Sequence, residues 1–319
     1  MMHKKVIALA LVAGLLTTQA YAVESSAAAA ADARADVTSA RTAQAQDWAV
    51  RLPNETNLQF RGVLGNESAG GSGSAMLYPA PNVAGLVAAL VTHGLLNSAT
   101  RKREATLAQE AANKVLDPYR GLIGDLRHDD VFQLALMQRR ANAKSRVAVP
   151  GEAPGADWMF AVEPVYSMTQ DQNALLLDIA VVVYAPNAPA APTYQNALRV
   201  VSAPIASDDP LVFWSDNNGQ NLKSVSAQLM AMALELAANE VDKSNSKAAE
   251  STAPNQRTMR YVQGKSERIE RAELLRVTCD RAVIKTLRGG LMWVPLKQPH
   301  AYTVSENAGS LECGVADKK

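Results

Sequence analysis

Few side chains in this sequence are able to do chemistry, and most of them stand alone. Of the four histidines, His3 lies in the opening segment, leaving His93, His128 and His300 for any mechanism that needs imidazole as base or ligand. His93 falls in an apolar stretch of helical spacing, where a histidine is ordinarily a residue at the edge of the core. His128-Asp129-Asp130 puts one imidazole beside two carboxylates, donor types that can contact a divalent ion. Consecutive helical side chains point about 100° apart, so this trio needs ligands from elsewhere to make a metal site. A solvated helix start is the simpler reading.

Glu163 and Asp178 are the carboxylates of interest for glycoside-type hydrolysis, because each interrupts a run of otherwise apolar residues. Their separation is a property of the fold, and a charge in a strand faces solvent by default. Gly65 to Ser74 has the glycine and serine content of a phosphate loop or a nucleophile elbow. It holds no lysine and no serine centred between glycines at the required offsets, so nothing singles out Ser72 or Ser74. No catalytic set, metal site or cofactor-binding motif is read from these residues, and no cofactor is expected.

Cys279 and Cys313 are the only two cysteines. Two thiols without two histidines do not complete a tetrahedral metal site, and His300 alone falls short of one. Their spacing is unlike Cys-x-x-Cys. A structural Cys279–Cys313 disulfide is expected, worth about 2–4 kcal/mol. Asn54-Glu55-Thr56 and Asn66-Glu67-Ser68 match the N-glycosylation triplet, which matters only in a eukaryotic secretory pathway.

That disulfide presupposes an oxidising compartment, and the N-terminus supplies the address. His3, Lys4 and Lys5 precede an apolar run from Val6 to Leu16, shorter than the ~20 residues of a spanning helix, and Ala20-Tyr21-Ala22 is a small-x-small cleavage pattern. Residues 1–22 are therefore expected to be a signal peptide, cut near Ala22, with the product periplasmic or secreted and without a transmembrane segment. The cut removes two of the 32 basic residues and none of the 31 acidic ones, which leaves the remainder near neutral. Without a basic excess, nucleic acid is not an expected partner.

The elements that must position these residues read as an α+β fold. Residues 23–47 form an Ala-rich leader with too little apolar bulk to pack. Leu58 to Leu64 alternates loosely, as a strand does. From Asn82 the spacing of Val83, Leu86, Val87, Leu90, Val91 and Leu95 predicts a helix, and Arg101, Lys102 and Arg103 follow it as a basic cluster. Such a helix either packs in the core or lies in a membrane interface, core packing being the ordinary case. The period resumes through Leu107, Ala111, Val115 and Leu116 until Pro118, and Val131 to Met137 predicts a further helix.

Beyond Gly155 the pattern turns to β-branched runs. Trp158 to Met168, Leu175 to Tyr184 and Tyr194 to Ile205 predict an antiparallel meander. Asp216 to Gly219 is then a turn, and Leu222, Val225, Leu229, Met232 and Leu236 predict one long amphipathic helix. Residues 48–242 are read as one α+β domain, 243–256 as a linker and 257–319 as a β-rich C-terminal section carrying the disulfide. The function read from this is a non-enzymatic, exported envelope protein that acts through contacts with an envelope protein partner as an accessory or assembly factor. The alternatives are a hydrolase of an envelope polymer using Glu163 or Asp178, and a binder of lipid or another small apolar ligand beneath the 83–96 helix.

Overall fold

The computed structural model describes residues 47–64, 99–138, 144–188, 191–245 and 256–297. The 83–96 helix, Ser72, Ser74, His93, His300 and Cys313 lie outside the described residues. Within them the chain is an α+β fold built on one large mixed sheet.

The strands are β1 (Trp48–Arg51), β2 (Phe60–Gly62), β3 (Ser145–Val147), β4 (Trp158–Met168), β5 (Leu175–Tyr184), β6 (Tyr194–Val201), β7 (Gln256–Gln263), β8 (Ser266–Thr278), β9 (Arg281–Thr286) and β10 (Leu291–Pro295). Their order across the sheet is β3-β1-β4-β5-β6-β10-β9-β8-β7, with β2 also on β4. β4, β5 and β6 are antiparallel neighbours. β10 lies parallel to β6, so the strands after residue 255 belong to the same sheet. The charged run Glu267 to Arg271 falls inside the long strand β8.

Helix α1 (Ala99–Asn113) runs into a 3-10 turn (Lys114–Tyr119) that accommodates Pro118, followed by α2 (Arg120–Asp125) and α3 (His128–Gln138). α1 begins within the polar stretch 97–104 that the apolar period leaves out. Alanine and long straight side chains favour a helix there without a buried stripe. Helix α4 (Pro210–Asn245) is broken at residues 216–219, where Asn217, Asn218 and Gly219 are all left-handed (φ 47°, 56° and 79°). Among the described residues no helix is long and apolar enough to cross a membrane.

Alternation sorts the sheet residues into two cores. Leu175, Leu177, Ile179, Val181 and Val183 of β5 point to one face, where Phe132 of α3 and Leu222, Leu229 and Leu236 of α4 cover them. A second cluster joins Leu176 and Val201 to Met259, Tyr261, Ile284, Met292 and Val294 on the opposite face. The C-terminal strands curl to build it, and Tyr261 of β7 meets Leu296 beyond β10 in an isolated antiparallel bridge.

One carboxylate clips this curl in place. Asp171, in the β4–β5 turn, accepts hydrogen bonds from its neighbours Thr169 Oγ1 (2.6 Å) and Asn173 N (3.0 Å), and from Lys265 N (2.6 Å) in the β7–β8 turn. Gly264 is left-handed (φ 62°), and a Cβ there would meet Asp171 Oδ1 at 2.5 Å, so only glycine allows the approach.

Candidate functional site

β1 and β2 pair with the two ends of the same edge of β4, Trp48–Arg51 along Trp158–Ala161 and Phe60–Gly62 along Tyr166–Met168. Residues 52–59 between them leave the sheet opposite 162–165 of β4, the stretch that contains Pro164. A proline has no N–H to give a ladder, so a gap in the pairing is where β4 tolerates one.

The displaced loop is tied to the helices instead. Leu58 N donates to Leu126 O (3.2 Å), His128 N donates to Thr56 O (3.0 Å), and Asn57 bridges Arg127. Glu55, Thr56, Asn57, Leu58, Gln59 and Arg127 line an open groove of about 630 Å³. Titratable groups with displaced proton affinities lie around it. The Glu163 carboxyl is pushed above its ordinary range by burial and then by the charge of Glu55. Burial lowers His128 below the usual imidazole range, against weaker opposing pulls from Glu55, Asp129 and the Asn57 backbone. His128 is 3% exposed, and among the described residues neither ring nitrogen makes a hydrogen bond of good geometry, the Asn57 backbone being only a weak pull. Such a neighbourhood qualifies as a candidate proton-handling site.

Glu163 and Asp178, singled out in sequence, do share a face. The register sets Glu163 opposite Ala180 and Val165 opposite Asp178, so the two residues are diagonal neighbours on one face, at a backbone spacing of roughly 7–8 Å. Their environments differ. Asp178 Oδ1 accepts from Arg199 Nε (2.5 Å), and Oδ2 accepts from Arg199 Nη2 (3.0 Å) and Arg61 Nη2 (2.7 Å). Arg61 Nε also donates to Ser167 Oγ at 3.0 Å. Burial by itself would raise the Asp178 carboxyl, but the charges and hydrogen bonds of Arg199 and Arg61 outweigh it and hold it below the ordinary range. On the same face Glu270 of β8 is raised by burial, with Arg199 and Arg288 pulling it back. Asp178 is thus a buried, committed anion, whereas Glu163 makes no ion pair among the described residues.

Other sequence candidates separate. At the start of α3, His128 is buried while Asp129 and Asp130 are exposed, and Asp130 lies 3.5 Å from Lys223 of α4. Among the described residues no group of three or more His, Cys, Asp or Glu side chains is placed to hold a metal ion. Cys279 occupies the β8–β9 turn with φ 56°. Arg103 is exposed on α1, and Asn54 is exposed in the displaced loop.

The arginines that hold Asp178 went unread in sequence, although a signal was there. Arg199 interrupts an apolar run just as Asp178 does, and opposite charges in two strands expected to be neighbours point to a cross-strand pair. The groove was beyond reach because it depends on where loop 52–59 leaves the sheet. No protein-family model, no curated protein and no solved structure matches this chain.

Proposed function

We propose that this is an exported envelope protein, periplasmic or secreted after cleavage near Ala22, that works through protein contacts as an accessory or assembly factor and not by catalysis. The observation that carries this reading is the terminal strand β7. It pairs with β8 along its length on one side, and on its other side the strand pairing among the described residues is the bridge from Tyr261 to Leu296, where β7 comes close to β10. Gln256, Thr258 and Arg260 are exposed along it. The end of the sheet, at the first residues of β7, Gln256 to Thr258, is where a partner's extended segment adds as a further strand. Within this reading Cys279 pairs with Cys313 to tie down the C-terminal section.

The test is cross-linking in intact cells of the source organism with the chain tagged at its C-terminus, followed by mass spectrometry. A photoreactive side chain replaces Thr258 in one variant and Arg120 of α2 in a control. One envelope protein recovered in near-stoichiometric amount from position 258 and not from 120 is the expected result. Recovery of the chain alone from both positions overturns the reading.

A hydrolase of an envelope polymer is the second reading, favoured by one observation. Glu163 is a carboxyl with raised proton affinity beside Glu55, which lines the groove, as a general acid requires. Its proposed counterpart Asp178 is already saturated by two arginines. Polymer cleavage by the wild type that Glu163→Gln abolishes would establish this reading in place of the first.

A further inference from the structure

We infer that the short helical turn at the start of α4 is a docking knob for a protein segment that presents an apolar side chain flanked by lysines or arginines. This rests on the protein-contact reading but concerns a surface separate from β7.

The chain fixes an apolar pair outward here. Leu211 and Val212 are 44% and 63% exposed, whereas Trp214, two residues on, is completely buried. Trp214 Nε1 donates to Gln172 O at 2.6 Å, and Asn221 Nδ2 donates to Phe213 O at 2.8 Å across the break in the helix. Asp209 Oδ1 caps the turn by accepting from Val212 N at 3.1 Å. The turn is therefore held at both ends while its apolar tip stays in solvent.

Holding it this way is costly. An uninterrupted helix needs no left-handed residues, yet Asn217, Asn218 and Gly219 adopt three in succession. Each non-glycine residue in that region costs roughly 1–2 kcal/mol, less for asparagine. Gly219 packs directly on Leu122, where an added Cβ would lie 3.3 Å from Cδ2, so the break is wedged against α2. Strain held in place by surrounding packing is a mark of a functional segment.

Charge selects the partner. Asp208, Asp209 and Asp216 flank the knob, all three are exposed, and none makes an ion pair among the described residues. Residues 206–219 contain no lysine or arginine. An apolar tip within an acidic rim repels an anionic membrane and suits a cationic, apolar protein segment.

The test uses the full mature chain and two synthetic amphipathic peptides, one of leucine and lysine and one of leucine and glutamate, labelled for fluorescence anisotropy. The leucine–lysine peptide is expected to bind and the leucine–glutamate peptide not to. The double variant Leu211→Ser with Val212→Ser should weaken binding by about tenfold or more. The triple variant Asp208→Asn, Asp209→Asn, Asp216→Asn keeps the cap and should weaken it comparably, with a shallower salt dependence. Far-ultraviolet circular dichroism checks that both variants fold. Equal binding by wild type and variants, equal binding of both peptides, or adsorption to phosphatidylglycerol vesicles that the serine variant abolishes would each overturn the inference. If a cellular partner is captured through β7 while the knob variants bind the peptide as wild type does, the knob fails and the protein-contact reading stands.

Discussion

Asp178 and Arg199 face each other directly across β5 and β6 and close a two-armed ion pair, Nε to Oδ1 at 2.5 Å and Nη2 to Oδ2 at 3.0 Å, with both side chains 5% exposed. Removing one partner leaves a buried charge uncompensated, a loss of about 3–5 kcal/mol. Asp178→Ala should therefore lower the urea midpoint by that equivalent at neutral pH. The wild-type carboxylate has a lowered proton affinity, so its contribution is complete above its unfolded pKa of about 3.9 and disappears as pH falls through the folded value. A variant within about 0.5 kcal/mol of wild type would mean that the pair is not structural.

Gly62 makes the closest approach of β2 to α1. A Cβ there would lie 1.9 Å from Ala112 O, while Gly62 N donates to Asn113 Oδ1 (2.8 Å) and Gly62 O accepts from Gln109 Nε2 (3.0 Å). Gly62→Ala must separate strand from helix and break both bonds, and is expected to cost more than about 3 kcal/mol in denaturant unfolding. Gly124→Ala, in a helix with no neighbour within 4 Å of the new Cβ, should instead gain up to about 1 kcal/mol. Similar effects at both positions would refute this assignment of Gly62.

His128 should make stability sensitive to mild acid. Its folded proton affinity is lowered, so below the unfolded pKa of about 6.5 the unfolded chain binds a proton that the folded one resists. Unfolding free energy is expected to fall as pH drops below about 6.5, until the folded imidazole also titrates. In His128→Phe, where the new ring sits beside Phe132, that part of the slope should vanish. An unchanged slope would assign the acid sensitivity to other groups.

Glu163 predicts the opposite sign. With a raised folded pKa, its ionisation costs stability as pH rises above the unfolded value of about 4.3 and through the folded one. Glu163→Gln should unfold at higher urea than wild type at neutral pH, and the two should converge near pH ~4. Glu55→Gln should yield part of the same gain, since the Glu55 charge contributes to the shift. A loss of stability at neutral pH in Glu163→Gln would show that the carboxylate has a favourable partner after all.

Local pattern was legible wherever side-chain period and burial agree. The run from Leu175 to Tyr184 is a strand buried on both faces, and the stripe through Leu222, Leu229 and Leu236 is the buried face of α4. Leu58 to Leu64, read as one strand, keeps only Phe60–Gly62, because Thr56 and Leu58 give their backbone groups to α2 and α3. Asp216 to Gly219 was legible as a turn from composition, but its left-handed geometry was not. The helix after it was legible from the Leu222 stripe, whereas the helical turn before it, from Pro210, was not.

The amino-acid sequence by itself determined where the chain alternates, where it repeats at helical spacing and which residues interrupt apolar runs, since these follow from local sterics and from the side chain's preference for water or oil. Tertiary structure alone decided what those interruptions do. Asp178 and Glu163 look alike along the chain. They diverge because strand register brings Arg199 and Arg61 to one and leaves the other near Glu55, and a buried charge is stabilised or penalised by whatever lies within a few ångströms of it. The joining of the C-terminal strands to the main sheet was likewise a decision between distant residues, taken where β10 meets β6 and Asp171 meets Lys265. Such pairings are non-local, so no window of neighbouring residues contains them.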